Sequence, residues 1–167
     1  LQRVAIFSKD NNTKTREGVQ TLIDEFFKRG IEIFLYQRLH SGDSYYTTEK
    51  IEFFNDISSL SGPPPDMILS VGGDGTFLET VLKVKDLGIP VAGVNTGRMG
   101  FLANIPNEEI GKSIDLLCNN EFEVIERSML EINRPAGLFE DEPATALNEI
   151  TIQKGSMSMI TIHVYIN

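Results

Sequence analysis

Three glycines surround one carboxylate in Gly72-Gly73-Asp74-Gly75-Thr76. Glycines let a main chain approach a ligand closely and present its N–H groups, and a helix start favours phosphate. A carboxylate beside such a cradle is repulsive unless it has a task. It either holds Mg²⁺ or accepts the proton of an attacking hydroxyl. The plain alternative is a Gly-Gly turn with Asp74 as a helix cap. A second glycine loop runs from Asn95 through Gly97, Arg98 and Gly100 to Phe101-Leu102. It reads either as the second lip of a nucleotide cleft or as a turning loop with Phe101 and Leu102 in the core. Asn148-Glu149 is the third feature. Asn148 has the parity of Ile150 and Ile152, so its amide faces an apolar surface and needs partners. A nucleotide's hydroxyls or base edge would supply them, as would a neighbouring loop. His40 and His163 have no second ligand nearby in sequence, so no metal site is assigned to them. Cys118 completes a helical apolar stripe and reads as core.

The surrounding pattern says what must position these residues. Val4–Phe7 reads as a buried strand, with Thr13 a candidate cap for the helix that follows. Val19, Leu22, Ile23, Phe26 and Phe27 form the apolar stripe of that helix, which Gly30 ends. Ile31–Tyr36 is the next strand, which completes a βαβ unit and implies a parallel sheet. Ile51, Phe54 and Ile57 suggest a weaker helix, stopped by Gly62-Pro63-Pro64-Pro65. Met67–Val71 is a strand that runs into the first glycine loop. Leu78, Val81 and Leu82 then mark a helix closed by Gly88. Pro90–Val94 is a further strand, and Ile110, Ile114, Leu117 and Cys118 a last helix with Glu108 and Glu109 in its first turn. This alternation predicts an α/β domain, a doubly wound parallel sheet that binds a nucleotide, over residues 1–119. From residue 120 the pattern changes to period two, in Glu121–Ile125, Ile150–Gln153 and Met159–Ile166. Residues 120–167 are therefore expected to begin an all-β domain that the chain does not complete.

Composition narrows the partners. The 167 residues are 41% hydrophobic and 23% charged, which is globular usage, and carry a formal net charge of −9. An acidic chain lacks the footprint of a DNA or RNA backbone binder. It still binds small anions where a nest of backbone N–H groups is local. The single cysteine excludes an internal disulfide framework. No apolar run reaches the ~18 residues that span a bilayer, and Gln2-Arg3 with its short apolar run does not read as a signal peptide. No membrane partner and a cytoplasmic location are expected. The apolar face of Ile160, Ile162, Val164 and Ile166 is expected to pair with a second copy, giving a homo-oligomer, or to stay poorly ordered.

In order and spacing, the Gly-Gly-Asp-Gly-Thr loop, the Asn95–Leu102 loop and Ala146-Leu147-Asn148-Glu149 resemble the bacterial NAD kinases. The resemblance spans nearly the whole chain, including Arg127-Ser128-Met129-Leu130. The first loop alone is shared with diacylglycerol-type lipid kinases. The resemblance implies transfer of the γ-phosphoryl of ATP to the adenosine-ribose 2′-hydroxyl of NAD, giving NADP. It implies Asp74 as the proton acceptor and Gly72, Gly73 and Gly75 as room for phosphates. Asn148 and Glu149 would hold the NAD sugar, and Leu78 and Phe101 would line the adenine pocket. Mg²⁺ is expected to arrive with ATP rather than to be held by the protein alone. A further loop of the family's second domain does not occur here, so this piece by itself is expected to be inactive. A lipid kinase and a non-catalytic nucleotide-sensing module are the competing readings.

Overall fold

The computed structural model describes residues 1–40, 51–132, 144–155 and 159–166. The chain divides into two compact units, Leu1–Glu126 and Arg127–Asn167.

The first unit is a six-stranded parallel sheet. Its strands are β1 (Arg3–Phe7), β2 (Glu32–Tyr36), β3 (Ile51–Phe54), β4 (Met67–Gly72), β5 (Val91–Asn95) and β6 (Ile105–Pro106). Their spatial order is β3-β2-β1-β4-β5-β6, all parallel. The order reverses between β1 and β4, the crevice where open sheets of this kind receive ligands. The central strands are buried on both faces: Val4, Ala5, Ile6, Ile33, Phe34, Leu35, Ile68, Leu69 and Val71 are all in the core. Helix α1 (Thr13–Lys28) and helix α2 (Asp74–Val84) lie on opposite faces. Adjacent residues of β4 show this, because Ser70 hydrogen-bonds Thr80 of α2 while Val71 lies against Gly18 of α1. Helix α3 (Ile110–Cys118) packs beside α1, burying Ile110, Ile114 and Leu117.

The amino end of the sheet is held by charge. Asp66, just before β4, accepts hydrogen bonds from the backbone N–H groups of Gln2 (2.6 Å) and Arg3 (3.0 Å), which holds its carboxyl below the usual range. The Arg3 guanidinium lies 4.6 Å from the Phe34 ring centroid and donates to Glu32 and to the Ser61 carbonyl.

Several local expectations are corrected. Asn12, not Thr13, caps α1, its side chain accepting from the Thr15 N–H. The segment at Ile51, Phe54 and Ile57 is not a helix. Ile51–Phe54 pairs in register with Ile33–Tyr36, and a 3-10 turn over Ile57–Ser59 follows, capped by Asp56. A spacing of three suits a helix, but here it joins an edge strand to a turn. Phe54 is drawn in by Tyr36, whose ring centroid is 5.7 Å away. Helix α2 stops at Val84 with Lys85 in a positive-φ cap, so Gly88 lies beyond its end. Glu108 and Glu109 form a 3-10 turn before α3 rather than its first turn.

The second unit carries a small antiparallel sheet, β7 (Leu130–Glu131) with β8 (Thr145–Ala146). Among the described residues no ladder is formed at Ile150–Gln153 or Met159–Ile166, nor at Glu121–Ile125 in the first unit, where strands were expected. Period two only separates two faces, whereas a strand also needs a neighbour in register for its N–H and C=O groups. Residues 133–143, 156–158 and 167 of the expected all-β region lie outside the described residues.

Candidate functional site

The site lies at the carboxyl edge of the sheet, where β4 and β5 end side by side with Gly72 opposite Asn95. Gly72 has φ +155°, and a side chain there would collide with Thr76, whose own side chain is buried at the start of α2. The turn is fastened from below: Thr80 Oγ1 donates to the Thr76 carbonyl (2.8 Å) and shares a second 2.8 Å hydrogen bond with Ser70 Oγ, whose hydroxyl can donate to it.

Gly73 is different. It is the N-cap of α2, with φ −103° and ψ −171°, an extended conformation open to any residue. A Cβ at Gly73 would meet nothing within 4 Å, and one at Gly75 would meet only the Lys9 ammonium. Neither glycine is demanded by the fold. Helix α1 has its first turn capped by Asn12, but α2 has no side-chain cap, so the N–H groups of its first residues take no side-chain cap bond, and the space a Cβ on Gly73 would enter is open. That is the geometry of an anion cradle.

Asp74 turns across to the other loop. Oδ2 accepts the Phe101 N–H at 2.8 Å, and Oδ1 accepts those of Leu102 at 3.0 Å and Ala103 at 3.1 Å. These bonds hold its carboxyl below the usual carboxylate range, Phe101 contributing first. Oδ2 keeps one lone pair uncommitted to these donors. The approach works because residue 100 is glycine: any Cβ there would collide with the Asp74 carboxylate. Asn95, buried at the end of β5, shapes the same loop. It donates to the carbonyls of Arg98 (2.8 Å) and Ala103 (3.3 Å) and accepts the Gly97 N–H (2.8 Å).

The structure thus brings together Gly72, Gly73, Asp74 and Gly75 with the backbone of Phe101. Leu78, one turn along α2, is half-buried. The Phe101 side chain is 97% exposed although its N–H is fixed, which corrects the alternative that placed it in the core; Leu102 is half-buried. Asn148 and Glu149 belong to the second unit. Both are exposed, with Asn148 in a bend after β8, so Asn148 does not open a strand or face an apolar surface as its parity suggested. Sequence reasoning named Asn95 and Gly100 only as members of the second glycine loop, with no role of their own, and gave Lys9 none. Gly100 was legible only as one glycine among several, because its purpose depends on a carboxylate 26 positions away. Among the described residues no group of three His, Cys, Asp or Glu side chains is placed to hold a metal ion. No helix there is long and apolar enough to cross a membrane.

The sequence pattern of the ATP-NAD kinase N-terminal domain matches residues 4–122. The chain is 36% identical over 169 residues to the NAD kinase of Bacteroides fragilis, covering 99% of this chain and 57% of that protein. It is 44% identical over 153 residues to the NAD kinase of Cytophaga hutchinsonii, covering 91% of this chain and 48% of that one. The chain therefore spans about half the length of these relatives. A crystal structure of yeast NADH kinase complexed with NADH shares the fold, with a TM-score of 0.62 at 18% identity, over 87% of this chain and 46% of that one.

Proposed function

Because this chain belongs to the NAD kinase family, we propose that the protein transfers the γ-phosphoryl of ATP to the adenosine-ribose 2′-hydroxyl of NAD. The observation that carries this reading is the uncapped start of α2, with two glycines the fold does not need, set beside a fixed carboxylate.

The 2′-oxygen attacks the γ-phosphorus, the bond from that phosphorus to the β,γ-bridging oxygen breaks, and ADP and NADP result. The free lone pair of Asp74 Oδ2 accepts the 2′-hydroxyl hydrogen bond and orients the oxygen in line. Asp74 is a weak base, since three N–H bonds already stabilise its charge. It therefore takes the proton late, as the new P–O bond makes the hydroxyl more acidic, which suits a loose phosphoryl-transfer transition state. The open first turn of α2 receives phosphate oxygens, and exposed Phe101 offers its ring to a base. A single carboxylate with one free lone pair fits Mg²⁺ held mainly by the triphosphate, where the ion neutralises charge on the transferred group. Asn148 and Glu149 hold the NAD sugar in this reading. ATP and NAD are the small-molecule partners, the protein works in the cytoplasm as a homo-oligomer, and the 167-residue chain by itself does not turn over.

The test offers NAD and diacylglycerol separately, with Mg-ATP, to the protein extended to its relatives' full length. NADP should form and the lipid should stay unmodified; phosphorylation of the lipid alone, or of neither, would overturn the reading. Gly73→Ala then isolates the cradle. Lost N-cap preference and reduced freedom of the unfolded chain oppose each other, so stability should change by less than about 1 kcal/mol. The KM for ATP should nevertheless rise at least ~10-fold, because a methyl group occupies space kept for phosphate.

A further inference from the structure

We infer that Lys9 is a phosphate ligand of this site, held over Gly75 by Glu79 and offered to the phosphoryl oxygens of the bound nucleotide. The inference rests on reading the Gly72–Gly75 turn as a phosphate cradle and adds to it a cation that the resemblance did not supply.

Lys9 is placed by the sheet. Phe7 of β1 lies opposite Ser70 of β4, so two residues further on Lys9 comes level with Gly72, on the ligand side of the point where strand order reverses. The chain there is pinned. Ser8 is completely buried, and its Oγ donates to the Asp10 carbonyl (3.0 Å) and accepts the Asp10 N–H (3.3 Å). The Lys9 side chain then reaches over α2. Its Nζ lies 3.1 Å from Glu79 Oε1 and 3.2 Å from where a Cβ on Gly75 would sit. Glu79 is one turn beyond Gly75 on the same helix face, so the ammonium rests against the first turn of α2. It remains about one-third exposed, within reach of a ligand.

An ion pair alone does not call for this arrangement. Lys9 and Glu79 are both partly exposed, and such pairs contribute little to stability. What the pair does is keep a flexible four-carbon stem folded over the cradle. The need for a cation is plain, because Asp74 and Glu79 are negative beside the cradle and the chain carries −9 overall. A helix N-terminus supplies only about half a unit of positive charge, and an ammonium supplies a whole one.

The experiment measures binding of inorganic tripolyphosphate by calorimetry to the full-length protein and to Lys9→Met, Lys9→Arg and Glu79→Gln. Lys9→Met should weaken binding about tenfold or more, as expected for a lost charge-assisted hydrogen bond. Lys9→Arg should restore most of it, and Glu79→Gln, which removes a competing carboxylate but leaves the ammonium less well held, should change binding far less than Lys9→Met does. A purely structural pair would make Lys9→Met and Glu79→Gln weaken binding alike, and that result overturns the inference, as does unchanged binding by Lys9→Met. Steady-state kinetics identify whose phosphate is bound. A rise confined to the KM for ATP assigns Lys9 to the donor, and one confined to the KM for NAD assigns it to the dinucleotide's pyrophosphate. If the wild-type protein binds tripolyphosphate but forms no NADP, the reaction assignment fails while the Lys9 assignment stands. If it forms NADP but binds no tripolyphosphate, the Lys9 assignment falls while the reaction assignment stands.

Discussion

Asp74 and Gly100 act as one device. The carboxylate bridges two loops through three backbone N–H groups, and the missing side chain at residue 100 is what admits it. Gly100→Ala should therefore release the Phe101–Ala103 backbone, and Asp74→Asn should do so too, since an amide nitrogen cannot accept these bonds. Each should lower turnover by ~10²-fold or more, and the double variant should be little worse than either single one. Simple addition of the two losses would show that the residues work separately. The pH dependence follows from the sign of the shift. The folded carboxyl titrates below its unfolded value, so its contribution is complete above the ordinary Asp range and disappears only as pH falls through the lower folded value. Amide resonances of Phe101, Leu102 and Ala103 should stay fixed from about pH 7 to about pH 4.5 and move only below that. Movement near pH 6 would mean that the carboxylate is not held as described.

At the level of helices and strands, the clearest stop signal is Gly30. The Gly30 N–H bonds the Phe27 carbonyl (3.0 Å) and the Ile31 N–H bonds that of Phe26 (3.1 Å), a Schellman closure of α1 with Gly30 at φ +69°. Nothing lies within 4 Å of a Cβ built there, so Gly30→Ala carries only the left-handed backbone penalty. Denaturant unfolding should show a loss of about 1–2 kcal/mol, whereas a loss above about 4 kcal/mol would point to a hidden packing role. This helix was legible because its stripe, its stop and its burial all arise within a short stretch. Strands β1, β2, β4 and β5 were legible as short, mostly apolar runs between turn residues. The edge strand β3 was not, since its identity comes from β2 and not from its own spacing. The two-residue strands β6, β7 and β8 carry no periodicity to read. The same limit applies to the site: the glycine loop around Asp74 announced itself, while the place of Lys9 depends on β1 lying beside β4.

The first unit as a whole is organised around a strand that comes early in the chain and sits in the middle of the sheet. Strand β1 has β2 on one side and β4 on the other, with Asp66 fastening its first residues. A chain ending at residue 66 lacks both β4 and the far wall of the core. It should show no cooperative unfolding transition, whereas one ending at residue 126 should unfold cooperatively with protected amides from Val4 to Phe7. Protected β1 amides in the shorter chain would show that β2 and α1 suffice. The central position of β1 also matters on the ribosome. One edge of this apolar strand must wait about 60 residues for its partner, roughly 3–12 s at ordinary elongation rates. During that interval the nascent chain displays an open edge of Val-Ala-Ile-Phe, the kind of segment that holdase chaperones cover, and slower translation between residues 36 and 67 would lengthen the exposure.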